Sequence, residues 1–451
     1  MGHGEESAGG RIGRRRVLRD AGLVGLGAAG IVLAAAGSED AGPSGAGVLD
    51  VRDARFGAAG DGRADDRAAI QKALDAVGDR GGAVFLPPGD YAVGGPLAPR
   101  SRTLLCGVHT PRWIGGEAPE SACRIVCREG FAGEGLIAPA QGTAAVTVRN
   151  LALVGAGRGD GVHGLRMPSG GGESSFCLQD VTIAGFSGSG IFGRLHVADL
   201  VNCFIHDNRG WGVEASGGAG WFDVHVANAY LFYNRQGNLL FDGPAVSGAV
   251  DFVNCRFERA GTDPRDVFSP RNPSAPGVRV TGAQLLSFTN CNTDANCGNG
   301  FELVGGGGTV RDVQLTSCRF QRDGTGVPGD SAGLVVRGAR RVMAANCLVV
   351  EGKPDDEGRG DAVGPRYGVS VTGTAGFEWI GGSVTVGDPG RAYRLGEGNE
   401  ATVIYDAARG YFTLPQARPA APVEGATYVD AAAGRLFVWA GGTWRSVTLD
   451  P

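Results

Sequence analysis

Apolar and polar residues alternate along this chain in short runs, with no helical period over most of its length. NLAL at 150, DVTI at 180, NCFI at 202, NAYL at 228, NCRF at 254, NCNT at 290, SCRF at 317 and NCLV at 346 are variants of one phrase. Each has an Asn-like residue, a small or apolar residue, a variable residue and then usually an apolar one, which is the alternation of a half-buried strand. The second residue of the phrase recurs after 30, 22, 26, 26, 36, 27 and 29 positions. A second phrase follows most copies: GLRM at 164, GIFG at 190, GVEA at 212, NLLF at 238, GVRV at 277, GFEL at 300, GLVV at 333 and GVSV at 368. Its leading Gly or Asn lets the backbone turn before another short strand. Strands recurring at this interval without intervening helices predict a solenoid of stacked parallel strands.

In such a stack Asn150, Asn202, Asn228, Asn254, Asn290 and Asn346 fall at one tight turn. Asn tolerates left-handed backbone angles, and its amide can bond the copies above and below. This ladder is structural and carries no chemistry. Cys203, Cys255, Cys291, Cys318 and Cys347 follow the ladder position and are expected to point inward as a buried file of free thiols. Among the ten cysteines, Cys123 and Cys127 are the expected exception. Nothing resembles a zinc-ligand spacing.

Two segments depart from the repeat. FGAAGDGRADDRAAIQKALDAVGDRGGAVFLPPGDYAV (56–93) predicts an acidic turn, a helix and two strands about a Pro-Gly turn. Asp65 or Asp66 is expected to cap the helix by accepting from its first-turn N–H groups, and Asp61 to hold the turn. Ile70, Leu74 and Val77 share one face, which would plug the open end of the solenoid. Near the C-terminus, a Pro- and Ala-rich linker precedes a β-meander over 427–430, 436–439 and 443–447. Its Trp439 and Trp444 are expected to pack the module's own small core.

Composition adds compartment and excludes one class of partner. The chain has 451 residues, 81 of them Gly, and a net charge of -5, which argues against nucleic acid. Arg14, Arg15 and Arg16, followed by an apolar run from Ala21 to Ala36, match a twin-arginine export signal, with Ala34-Ala35-Ala36 as the cleavage site. Gly37 stands where a lipoprotein would carry Cys, so no lipid anchor is expected. The expected organisation is an export signal over 1–37, a solenoid over 48–400 and a small module over 415–451, in a secreted or cell-surface protein.

Phe56-Gly57-Ala58, Gly60-Asp61-Gly62, Asp65-Asp66, Ala69-Ile70, Gly81-Gly82, Phe85-Leu86-Pro87-Pro88-Gly89 and Tyr91 together resemble the N-terminal signature of the pectate-lyase superfamily. That group includes the family-28 glycoside hydrolases. The resemblance implies an all-β fold, a right-handed parallel β-helix with an N-terminal capping helix, and a polysaccharide partner bound along an outer sheet and its loops. Alternation in the second phrase places Arg166, Phe192, Glu214, Leu240, Arg279, Glu302, Val335 and Ser370 outward, with Arg194, Asp242 and Arg337 two residues further on. A stripe mixing carboxylates with guanidinium groups suits an acidic sugar.

Glu214 and Asp242 are the candidate catalytic pair. Strand spacing of about 4.8 Å and a two-residue offset of about 6.6 Å place their Cα atoms about 8 Å apart. Inverting hydrolysis uses carboxyl groups about 6.5–9.5 Å apart, so a glycoside hydrolase acting on a uronate-containing polysaccharide is the leading expectation. A lyase or epimerase on the same scaffold is the alternative, in which Arg279 serves proton abstraction and Ca²⁺ neutralises the acid. A non-catalytic glycan-binding scaffold is the third. Arg166, Arg279, Glu302, Arg235 and Arg265 are the candidate substrate-binding residues, the last two from loops preceding the sheet. Asn292-Thr293-Asp294 resembles the Asn-Thr-Asp motif of family-28 hydrolases, but it falls on the strand after the ladder. Asp263-Pro264-Arg265-Asp266 resembles the Asp-Pro-His-Asp motif of alginate epimerases with Arg265 in place of His, and reads better as a plain turn.

Overall fold

The computed structural model describes residues 47–108, 122–170, 175–217, 220–243, 247–306, 308–327, 329–352, 364–408, 411–413, 422, 427–430 and 435–448. The expected export signal and its cleavage site, the loop bearing Asp355-Asp356 and most of the Pro- and Ala-rich linker lie outside them.

A coil is typically three short strands, the first two running together as one in Val146–Val154 and Phe176–Ala184. One coil runs Leu195–Val201, Phe204–His206 and Trp211–Ala215, and the next repeats it as Trp221–Ala227, Tyr230–Phe232 and Gly237–Phe241. The first two strands of every coil join a 23-stranded sheet, and the third joins a separate 10-stranded sheet. Successive coils pair in parallel, Phe204 with Tyr230 and Val213 with Leu239. The result is a parallel β-helix, as the repeat predicts. Inward positions build one continuous core, in which Phe252 and Phe288 stack with centroids 4.7 Å apart and Phe257, Phe301 and Phe320 add edge contacts. Each such ring removed from water contributes about 1.5–3 kcal/mol.

The Asn ladder forms as expected. All six asparagines have φ between 52° and 55°. Asn228 Nδ2 donates to Asn202 Oδ1 at 3.2 Å and Asn290 Nδ2 to Asn254 Oδ1 at 2.7 Å. Asp180 and Ser317 fill the same turn in their coils. The five cysteines behind the ladder are buried to 1% exposure or less, and burial pushes the Cys203 thiol up to about 12. All ten cysteines are free, Cys123 and Cys127 included. That last pair corrects the expected exception. Both lie on the extended strand Cys123–Cys127, where four residues span about 13 Å, well beyond disulfide reach.

A further column of left-handed residues crosses the first strand of the coils: Val197, Asp223, Ala249, Leu285, Asp312 and Arg341, with φ from 50° to 57°. A β-branched residue there is a steric outlier, at a cost of about 1–2 kcal/mol. Val197 is 50% exposed and so loses little packing on replacement. Val197→Asn is therefore expected to stabilise the fold by about 1 kcal/mol, read as a higher midpoint in urea. A lower midpoint would contradict the strain argument.

At the N-terminal end the helix Arg67–Ala76 buries Ile70, Ala73 and Leu74, and Val77 follows just past its last turn. Of the two aspartates expected to cap it, Asp65 accepts from a first-turn N–H and Asp66 does not. Asp66 is buried and accepts from Ala59 N and Gly60 N at 2.6 and 3.0 Å, so it fastens the preceding turn and gives the helix no side-chain cap. Asp65 accepts from Arg67 N and from Gly94 N, both at 3.1 Å, tying the helix start to the next coil. Asp61 accepts from Arg63 N and Ala64 N, as a turn residue. At the other end the coils continue to Glu400–Asp406, where the short strand Tyr411–Thr413 pairs antiparallel. The meander forms as a separate sheet of Thr427–Asp430, Arg435–Ala440 and Thr443–Thr448. In it Trp439 packs on Trp444 (5.4 Å) and Tyr428 stacks on Phe437 (4.8 Å).

Candidate functional site

The outward positions of the 10-stranded sheet form one file in the predicted order. Arg166 pairs with Phe192, Phe192 with Glu214 and Glu214 with Leu240. Leu240 pairs with Arg279, Arg279 with Glu302, Glu302 with Val335 and Val335 with Ser370. Asp242 follows two residues after Leu240, so it and Glu214 share this flank one coil apart, as their spacing predicts.

Each charged group is held differently. Glu214 is half-buried: Ser189 donates to its Oε2 at 2.5 Å and Ser216 to its Oε1 at 2.8 Å. Asp242 is exposed and accepts from Thr281 Oγ1 at 2.5 Å. Arg279 is clamped through Nε to Glu302 Oε2, and its guanidinium lies 5.9 Å from the Trp211 ring. Glu302 faces out yet is only 8% exposed, because Arg279 and Asn299 (2.8 Å) occupy its carboxylate. It serves to fix Arg279 and presents little surface of its own. At the near end Arg166 lies over the Phe192 ring at 4.5 Å and pairs with Glu134 at 3.3 Å. Phe192 in turn stacks on His163 (4.4 Å). Burial, and then the Arg166 charge, pull His163 down to about 4. Its neutral ring accepts from Ser189 N through Nδ1 at 2.9 Å.

Ser189, Trp211 and His163 are thus part of the site and absent from the sequence-based candidates. They occupy the column just before the repeat's Gly, where His163 precedes Gly164, Ser189 precedes Gly190 and Trp211 precedes Gly212. Polar and aromatic residues recurring in that column were the available signal. The next coil has Gly237 in this column, and a β-carbon there would lie 2.0 Å from the Trp211 ring, so the glycine is what lets the indole lie flat over the strand.

Beside the start of these strands the loops form a cleft of about 400 Å³ lined by Asp207, Asn208, Arg209, Tyr233, Arg235 and Arg271. Arg235 lies where the sequence places it, in a loop preceding the sheet. Arg265 does not line this cleft: it sits exposed at the turn of the hairpin Thr262–Asp263/Asp266–Pro270, where its N–H closes on Asp263 Oδ1 at 2.9 Å. Asp263-Pro264-Arg265-Asp266 is therefore a turn. Arg271, at the end of this insertion, reaches the cleft instead. Asn292-Thr293-Asp294 lies in the 23-stranded sheet, with Asp294 engaged by Arg322 (2.7 Å) and Asn292 donating to Glu258 (3.2 Å), away from the file. Among the described residues no group of three or more His, Cys, Asp or Glu is arranged to hold a metal ion.

Stacked three-strand coils, a capped end and one outward file define a parallel β-helix protein. The family model described as right handed beta helix region matches residues 141–377, more than half of the chain. The chain belongs to the right-handed β-helix family. A second model, rhamnogalacturonase A/epimerase, pectate lyase-like, matches residues 49–114, which include the capping segment. The chain is 31% identical over 166 residues to mannuronan C5-epimerase AlgE4 of Azotobacter vinelandii, covering 34% of this chain and 30% of that protein. It thus spans less than a third of that relative's length. Among solved structures, the enzymatically active domain of bacteriophage CBA120 tailspike protein 2 superposes with a TM-score of 0.54 at 17% identity, covering 72% of this chain and 47% of that one. DFA-IIIase from Arthrobacter chlorophenolicus A6 gives 0.52 at 13% identity, with 79% and 94% covered. Both share the fold.

Proposed function

We propose that the protein is an exported enzyme that modifies a uronate-containing polysaccharide by proton abstraction next to the uronate carboxylate, as an epimerase or a lyase does. The observation that carries the reading is the fixed guanidinium of Arg279, clamped by Glu302 and Trp211, on the same flank as two carboxylates that are not paired to it. A guanidinium matched to the substrate carboxylate stabilises the negative charge that grows there as the α-proton leaves. Asp242, exposed and held only through Thr281, is the proton acceptor in this reading. Glu214, oriented by Ser189 and Ser216, is the second acid–base group. Arg166 over Phe192 offers a further contact for an acidic residue of the chain. Similarity to a mannuronan C5-epimerase supports the substrate class and favours this chemistry over the hydrolysis expected from the carboxylate spacing.

Hydrolysis remains the second reading, favoured by the placement of Glu214 and Asp242 one coil apart and two residues offset. Alginates and pectates incubated with the protein separate the two. Ultraviolet absorbance from unsaturated ends marks a lyase, a changed epimer ratio by proton NMR marks an epimerase, and new reducing ends without unsaturation mark a hydrolase. Asp242→Asn and Glu214→Gln are each expected to lower the rate by about 10²–10⁴-fold. Unchanged rates in both variants would remove the site, and no product from any acidic polysaccharide would remove the enzyme.

A further inference from the structure

The cleft at the start of the file strands concentrates positive charge on a chain whose net charge is -5. Arg209, Arg235 and Arg271 come from three successive coils. Arg271 is balanced by Asp263 at 2.8 Å, and Asp207 lies against His206 Nδ1 at 2.6 Å. Among the described residues, Arg209 and Arg235 make no ion pair.

The backbone beneath these two side chains is fixed. Arg209 N donates to Phe186 O at 2.8 Å and Arg235 N to Asn208 O at 2.9 Å. Asn208, in the floor, is itself buried, and its amide donates to Asn234 Oδ1 at 2.9 Å. The rim is pinned by Asn272 Nδ2 donating to Gln236 Oε1 at 3.2 Å. A rigid floor therefore carries two uncommitted guanidinium groups one coil apart, about 4.8 Å along the solenoid axis. Guanidinium groups free of carboxylate partners match an oxyanion better than any neutral sugar hydroxyl. Five residues separate Arg209 from Glu214 and Arg235 from Leu240, so the cleft stands at most about 16 Å from the file along the strand direction. A span of that order leaves room for a group bound there to belong to a different sugar from the one being reacted.

We propose that this cleft is an anion subsite that holds the carboxylate or sulfate ester of a second acidic sugar on the same glycan. The protein then recognises chains bearing more than one acidic residue. This rests on the acidic-polysaccharide reading above and adds a site to it.

The test is calorimetric and uses the full chain silenced by Asp242→Asn, with and without Arg209→Gln and Arg235→Gln together. The probes are a uronate hexamer, a sulfated hexasaccharide and a neutral glucan hexamer. At least one anionic probe is expected to bind tenfold or more tightly than the neutral one, and to lose at least tenfold when both arginines are replaced. Which anionic probe binds identifies the group as carboxylate or sulfate. Both side chains are exposed, so the unfolding midpoint should not move; each single Gln variant, expected to lose part of the affinity, repeats the test if the double variant is unstable. Equal affinity for the neutral hexamer, or affinity indifferent to the arginines, overturns the subsite. Arginine-dependent binding in a protein that turns over no acidic glycan would instead retain the subsite and remove the proposed reaction.

Discussion

At pH 8, replacing Asp323 by asparagine is expected to raise the stability of the fold. Asp323 is wholly buried. Asn296 donates to its Oδ1 from Nδ2 at 2.8 Å and from the backbone at 3.3 Å, and Thr293 Oγ1 lies 2.5 Å from its Oδ2. These bonds favour the carboxylate, but desolvation outweighs them and pushes the carboxyl up to about 8 from 3.8. Between those values the folded chain keeps a proton that the unfolded chain has released. The stability from the neutral acid is complete below about pH 4 and is lost progressively as pH rises through about 8. One such group contributes a slope of at most about 1.4 kcal/mol per pH unit. An asparagine keeps the Oδ1 acceptor and places an N–H toward Thr293 Oγ1, without a charge to bury. Denaturant midpoints measured from pH 4 to 9 should fall for the parent and stay flatter for Asp323→Asn. Parallel curves would show that Asp323 ionises in the fold without penalty.

Asn296→Ala is expected to be the most destabilising change of those considered, by about 3–5 kcal/mol. The Asn296 amide is fully buried and makes bonds in four directions. It donates to Phe257 O (2.8 Å) and Asp323 Oδ1 (2.8 Å), and accepts from Ala260 N (2.8 Å) and Asn238 Nδ2 (3.3 Å). Alanine leaves those partners without water to replace it, and each buried unsatisfied group costs about 1–3 kcal/mol. The matched control is Asn290→Ala on the outer ladder. Asn290 is exposed and its amide bonds Asn254, so the loss there should be about 1–2 kcal/mol, from backbone strain and one hydrogen bond. Equal losses at the two positions would show that burial adds nothing to the amide network.

Asn208, Asn234, Asn238, Asn296 and Asp323 form this inner network, each at 1% exposure or less. It is as much a feature of the molecule as the outer ladder, yet only the outer one is among the expectations from sequence. The outer asparagines head a phrase of constant length and mostly precede a cysteine or small residue, so their register announces itself. Yet Asn208, Asn234, Asn296 and Asp323 each stand six residues after the outer-ladder residue of their coil, Asn202, Asn228, Asn290 and Ser317, so a second register was present in the sequence. One coil has Ala260 where an amide would fall, and Asn238 of the preceding coil bridges to Asn296 in its place. The spacing exposes the gap at Ala260, but only the structure shows which amide fills it.

The outward file was legible for a simple reason. A strand has period two, and the Gly or Asn at its start fixes which residue comes first, so the sequence alone orders Arg166 through Ser370. Side-chain commitments could not be read in the same way. Glu302 appeared as one carboxylate among several, and only packing shows that Arg279 and Asn299 consume it. Arg265 was the candidate from the longest inter-strand insertion, and Arg271 reaches the cleft instead because of where the hairpin of 262–270 turns.

A stack of identical parallel coils has no intrinsic length, since each finished layer offers the next a ready template. The helix at one end and the reversed strand Tyr411–Thr413 at the other therefore do for this chain what a terminator does for a polymer. The reversal leaves the last layer facing a strand of the wrong polarity to seed another copy, and keeps a molecule built like a filament segment finite.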